Sequence, residues 1–273
     1  MAQLDIAVLG PFTVRLAGRP LTDFRTDKMR ALLAYLAVEN TQIHRRAMLA
    51  GLLWPELPEA AAHHNLSQTL FLLRQLLNDV GSVTPFLMTT RYTLCFNPQS
   101  DFSLDVTQFE DGLAVNAAPE VVAQAVAHYR GEFLSDLWQG MSPAFEEWAI
   151  LKRAHYHLLA LDAMEVLTDS YIARGMFDLA ADYARRQIAL EPLREPAHRQ
   201  LMTALARAGR LTEALAHYAE CAVLLAQELG LAPAPETTAL YEQIRAMRAP
   251  EQLLVLSPHH TPTNVRLFKV PFV

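Results

Sequence analysis

The densest periodic pattern in the chain lies between residues 58 and 78, where Ala62, Leu66, Leu70, Leu73 and Leu77 recur at spacings of four and three. Residues three and four apart share a face at 3.6 residues per turn, so this is one apolar stripe of an amphipathic helix. The other side carries His63, His64, Ser67, Gln68 and Arg74, donors and acceptors able to meet a base edge or a phosphate. A shorter helix is expected over 45–53, stopped by Trp54-Pro55 because proline disfavours helical geometry in the residue before it. Two β-like runs, 86–89 and 92–96, surround Thr90-Arg91 as a small hairpin. Upstream, residues 4–18 alternate loosely between turn signals at Gly10-Pro11 and Ala17-Gly18-Arg19-Pro20, which predicts short antiparallel strands. Met29, Leu32, Leu33 and Leu36 then predict a helix over 26–38 with Thr26 as its N-cap.

Helix, turn, longer helix and hairpin, in that order, make a winged helix-turn-helix, expected over residues 1–98. Its second helix, 59–78, would enter the major groove of DNA with the hairpin near the minor groove. Arg45 or Arg46 would then meet the phosphate backbone at the start of the shorter helix, and Arg91 would sit at the hairpin tip. Each residue also has a plainer reading. His63 and His64 are equally solvated residues near a helix start, Arg74 can pair with Asp79 on the surface, and Trp54 fits a core plug as well as a partner contact.

The pattern changes near residues 98–101. From Pro119 onward it is helical, with helices expected over 119–130, 143–169, 176–190, 195–208, 212–229 and 236–247. The run Arg174-Gly-Met-Phe-Asp-Leu-Ala-Ala-Asp-Tyr is echoed by Ala208-Gly-Arg-Leu-Thr-Glu-Ala-Leu-Ala-His-Tyr, and aligning Gly175 with Gly209 gives a period of 34. That is the tetratricopeptide period, in which stacked helix pairs leave a concave groove for a partner. Tyr129, Phe133, Trp148, Tyr156, Tyr171, Tyr183 and Tyr218 are expected as interhelical core. The expected fold class is mainly α with small β-sheets: a winged helix over 1–98, then an all-α tetratricopeptide-like domain over 102–249. Residues 250–273, with four prolines and an apolar end, read as a linker or an arm that packs back.

Composition refines this picture. The chain has 273 residues, 52% of them apolar, enough for two cores. The net charge of −6 hides an asymmetry: residues 1–98 hold nine Lys/Arg and seven Asp/Glu, a net of +2, and the remainder 14 and 22, a net of −8. That suits a DNA-facing half and an acidic, protein-facing half. No run is apolar enough to cross a bilayer, and an acid near the start with no basic leader argues against a signal peptide. Cys95 and Cys221 lie far apart and are expected as buried thiols, in keeping with a reducing cytoplasm. His155 and His157 diverge on a helix, unlike an i, i+4 zinc pair. With no phosphate loop, ligand set or nucleophile elbow in the sequence, neither an enzyme nor a cofactor is expected.

Several segments together resemble one family, the SARP-like bacterial regulators that join an OmpR-type winged helix to a bacterial transcriptional activation domain (BTAD) of tetratricopeptide type. They are Leu9-Gly-Pro-Phe, Arg30-Ala-Leu-Leu-Ala-Tyr-Leu, Leu52-Leu-Trp-Pro-Glu, Leu73-Arg74 and Thr89-Thr-Arg-Tyr, then Tyr129-Arg-Gly-Glu-Phe-Leu, Glu147-Trp148, Leu190-Glu-Pro-Leu-Arg-Glu and Glu228-Leu-Gly-Leu-Ala-Pro-Ala-Pro-Glu-Thr. The resemblance spans roughly 4–247 and implies a DNA-binding transcriptional activator whose second domain contacts protein, RNA polymerase included. It also implies that the loop at Trp54, Pro55 and Glu56 touches polymerase. The family's recognition helix follows Ala-Arg-x-Asn-Leu-Arg-x-x-Leu-x-Arg-Leu-Arg, whereas this chain has His63, Ser67, Leu72 and Arg74 at the arginine positions. Base readout would then lean on Asn65 and Gln68, which can pair with adenine, and on Thr69 and Phe71, which can touch a thymine methyl. Few phosphate contacts favour two copies on repeated half-sites, a homodimer on double-stranded DNA. The alternative is a protein-interaction scaffold with little DNA affinity.

Overall fold

The computed structural model describes residues 4–115, 117–137 and 140–248, so the expectation for 250–273 lies outside the described residues. The chain is mainly helical with two small sheets, and it divides into two compact units between Ser170 and Tyr171.

In the first unit, β1 (Leu4–Ala7), β2 (Thr13–Leu16) and β3 (Arg19–Pro20) form the expected antiparallel meander. A strand that the sequence pattern did not predict, β7 (Phe102–Leu104), adds to β1 in parallel, giving the order β3-β2-β1-β7. Helix α1 (Asp27–Val38) starts at Thr26, whose hydroxyl accepts the Met29 N–H at 3.3 Å. Next come β4 (His44–Arg45), α2 (Arg46–Leu53) and α3 (Glu59–Leu76), then β5 (Leu87–Thr89) and β6 (Thr93–Phe96), which form a second sheet ordered β4-β6-β5. Asn78, two residues past α3, takes a left-handed φ of 55°, a geometry that asparagine tolerates at a helix end.

The change of regime expected at 98–101 falls inside this unit. Helices α4 (Asp105–Gly112), α5 (Pro119–His128) and the first part of α6 (Pro143–Ala173) are held to the residues before them by long-range bonds. Asp105 is buried and accepts the N–H groups of Val8 and Leu9 at 2.9 Å. The Trp148 indole N–H donates to Glu39 at 2.9 Å, and Lys152 pairs with the same carboxylate at 2.9 Å. Phe109, Phe133, Phe145 and Tyr156 close the core beneath these contacts.

The second unit holds α7 (Phe177–Leu190), α8 (Glu195–Arg207), α9 (Leu211–Leu229) and α10 (Pro235–Arg248). The 34-residue echo is structural. Gly175 and Gly209 take left-handed φ values of 75° and 78°, which favour glycine although nothing crowds either position. Gly175 N–H bonds Ile172 and Met176 N–H bonds Tyr171, and the same pattern recurs 34 residues on, from Gly209 to Ala206 and from Arg210 to Leu205. Ala180 and Ala214, equivalent in the echo, are both fully buried. Tyr129, Phe133, Tyr156 and Tyr171 are buried as expected, whereas Trp148, Tyr183 and Tyr218 are half-buried. Cys95 and Cys221 are free, buried thiols, and burial pushes Cys221 up to about 11. No helix among the described residues is long and apolar enough to cross a membrane.

Candidate nucleic-acid interface

The apolar stripe of α3 is the side that packs inward: Ala62, Leu66, Leu70, Leu73 and Leu77 are all buried. His64, Ser67, Gln68, Phe71 and Gln75 are exposed on the other side, Phe71 by 58%. His63 is half-buried, its Nε2 3.7 Å from Glu59, so it serves the first turn of the helix. Thr69 departs from the expectation that it touches a thymine methyl. It follows Leu66 by three and precedes Leu73 by four, lies within the apolar stripe and is 9% exposed. Asn65 is half-buried on the flank of the helix, where it lines a shallow cavity of about 240 Å³ with Lys28, Trp54, Gln68 and Leu72.

The four arginines expected here divide into two kinds. Arg46 donates to Ser67 at 2.8 Å and to Thr89 at 3.1 Å, joining the start of α2, the middle of α3 and the end of β5. The Ser67 hydroxyl in turn donates a hydrogen bond to the His63 carbonyl at 2.9 Å. Arg74 lies against Asp79, its Nε 3.7 Å from Oδ2 and its Nη2 3.5 Å from the carbonyl. That contact is not the surface pair anticipated from sequence, because Asp79 is 1% exposed and also accepts the N–H groups of Phe86 at 2.5 Å and Leu87 at 3.0 Å. Arg45 and Arg91 are exposed. Arg45 has no side-chain partner among the described residues, and the Arg91 guanidinium stands 5.4 Å from the Tyr92 ring in the turn between β5 and β6. The Tyr92 carbonyl accepts the Arg46 N–H at 2.9 Å, so the turn and the start of α2 are fixed to one another.

The loop between α2 and α3 is held from beneath. Trp54 is buried, whereas Pro55 and Glu56 are exposed. Lys28 was not singled out in the sequence, yet it donates to the Leu53 carbonyl at 2.5 Å and to Glu56 at 3.2 Å, with its ammonium 5.4 Å from the Trp54 ring. The only sequence signal for it was a lysine in the first turn of a helix, too common a placement to mark it. His155 and His157 part company as their spacing predicts, one toward Glu110 at 3.9 Å and the other toward the Tyr129 hydroxyl at 3.4 Å. No metal-ligating cluster occurs among the described residues.

The chain is similar to several known proteins. The family model described as "Bacterial transcriptional activator domain" matches residues 104–245. The transcriptional regulatory protein MoaR1 of Mycobacterium tuberculosis is 30% identical over 251 residues, covering 87% of this chain and 78% of its own length. The regulatory protein AfsR of Streptomyces coelicolor is 30% identical over 245 residues, with 88% of this chain aligned to 24% of that longer protein. Among solved structures, Mycobacterium tuberculosis EmbR in complex with a low-affinity phosphopeptide superposes with a TM-score of 0.67 at 26% identity, over 90% of this chain and 66% of EmbR. The chain thus belongs to the family of SARP-like bacterial transcriptional regulators that carry the bacterial transcriptional activator domain.

Proposed function

We propose that residues 1–98 act as an OmpR-type winged helix that binds double-stranded DNA, with α3 in the major groove and the β5–β6 hairpin beside the minor groove. Residues 102–249 are the effector half, a tetratricopeptide-like domain that contacts other protein, RNA polymerase included, so that the regulator acts as an activator. The observation that supports this reading is the open side of α3, where His64, Ser67, Gln68 and Phe71 meet solvent; Arg45, before α2, and Arg91, in the β5–β6 turn, are exposed as well. In this reading Gln68 would pair with an adenine edge and Phe71 would touch a thymine methyl. Asn65 reaches bases only from the flank, and Arg46 and Arg74 set the geometry of the surface.

On this surface only Arg45 and Arg91 are left without an acceptor among the described residues, which makes phosphate binding weak, so two copies share an operator as a homodimer on repeated half-sites. A gel-shift salt titration of the full chain on fragments selected from genomic DNA tests this. A log–log slope of about −2 for one copy, or about −4 for two, is the expected result. Absence of binding at low salt, or a slope near zero, overturns it. The chain is then a protein-interaction scaffold, a reading favoured by the internal contacts of Arg46 and Arg74 and by His63, Ser67 and Leu72 standing where the resembled family has arginine.

A further inference from the structure

The face of the four-stranded sheet that points away from the core is not flat. Its register places Asp5, Thr13, Arg15 and Ser103 on one side, alternating with the buried Leu4, Ile6, Val14 and Leu104. Together with His128 and Arg130 they line a cavity of about 490 Å³, within the range of about 300–1,000 Å³ common for small-molecule sites.

The carboxylates around this cavity are already engaged, whereas of its cationic groups only Arg130 has a partner among the described residues, the long contact to Asp105. Asp5 accepts the Ser103 hydroxyl at 2.6 Å, and Asp105 accepts the Val8 and Leu9 N–H groups. Arg15 stands directly across from Asp5 in the β1–β2 register, where opposite charges ordinarily pair. It makes no ion pair or hydrogen bond with a side chain among the described residues, and neither does His128. Arg130 reaches Asp105 only at 3.5 Å, with its side chain 41% exposed. A planar, five-donor guanidinium left without an acceptor at the mouth of a cavity suits a phosphate or carboxylate.

We propose that this cavity binds a small hydroxylated anion. Arg15, Arg130 and His128 take its phosphate or carboxylate group, and Asp5, Ser103 and Gln108 take its hydroxyl groups. The site is separate from the α3 surface and does not depend on DNA binding. Its occupant would sit against the Asp105 joint that fastens β1 to α4.

The test is a ¹H–¹⁵N correlation spectrum of the full chain at constant ionic strength, titrated with glycerol 3-phosphate in one arm and glycerate in the other. Saturable shifts are expected at the amides of Thr13, Arg15, Ser103, His128 and Arg130 in at least one arm, and the responding arm identifies the anionic group. Arg15→Gln, on an exposed strand position, should weaken that binding about tenfold while the remaining spectrum stays native. His128→Gln should weaken it as well, and Arg25→Gln, an exposed arginine that does not line the cavity, should leave it unchanged. The proposal is overturned if neither arm saturates, if the shifts are no larger than those from chloride, or if Arg15→Gln binds as tightly as the natural chain.

Discussion

Removing the Asp105 carboxylate should loosen the first unit. Val8 and Leu9 are fully buried, and their N–H groups have both oxygens of Asp105 as acceptors at 2.9 Å. Asp105→Ala leaves two donors in the core without water or partner, at about 1–3 kcal/mol each. Burial has already pushed the Asp105 carboxyl above its usual range, against the Val8 and Leu9 N–H groups that pull it down, so deleting a group under that strain returns part of the loss. The net destabilisation should be about 2–4 kcal/mol. Asp105→Asn keeps one acceptor oxygen and should cost about half as much. Urea unfolding followed by tryptophan fluorescence reads this unit selectively, because all three tryptophans precede Ser170. Hydrogen exchange at Val8 and Leu9 should accelerate in step with the lost stability. A fluorescence midpoint for Asp105→Ala corresponding to less than about 0.5 kcal/mol would refute the reasoning.

Other outcomes follow from the same geometry. Gly112→Ala puts a methyl 2.6 Å from the Ala125 Cβ and should cost about 1–3 kcal/mol, a loss that Ala125→Gly partly reverses in a double-mutant cycle. Arg46→Gln should weaken DNA binding about tenfold with the salt slope unchanged, because Arg46 spends its donors on Ser67 and Thr89; a slope shallower by about 0.9 would instead make it a phosphate contact. Glu39 is penalised by burial, but the bonds from Trp148 and Lys152 prevail and hold its carboxyl below the usual 4.5. Its stabilisation is therefore present above about pH 4.5 and lost as pH falls through the lower folded value. Asp105, with its raised value, works in the opposite sense, favouring the fold in acid and losing that contribution as pH rises. Acid melts of Glu39→Gln and Asp105→Asn should accordingly tilt in opposite directions.

What was legible in the sequence was local. The α3 stripe, the Thr26 cap, the hairpin and the 34-residue echo all rest on residues a few positions apart, or on a repeated turn that only glycine closes easily. β7 was not legible, because three residues form a strand only by pairing with β1 nearly a hundred positions earlier. The same holds for Asp105, an ordinary acid at a helix start until its partners at Val8 and Leu9 are known. On the candidate surface, the fate of each arginine was decided by tertiary neighbours: Ser67 and Thr89 for Arg46, and buried Asp79 for Arg74. Thr69 alone could have been placed correctly, since its spacing from Leu66 and Leu73 puts it inside the stripe.

Asp79 has a consequence of its own. One carboxylate grips Arg74 near the end of α3 and the first two amides leading into β5, while Arg46 pins the middle of α3 to the far end of that strand. Rod and ribbon are therefore geared at two points, and neither can roll or slide without dragging the other. If that surface binds DNA as proposed, it would meet its target as a rigid stamp: whatever it read would have to present both contact lines at once, in fixed spacing, and a change in either would be felt by both.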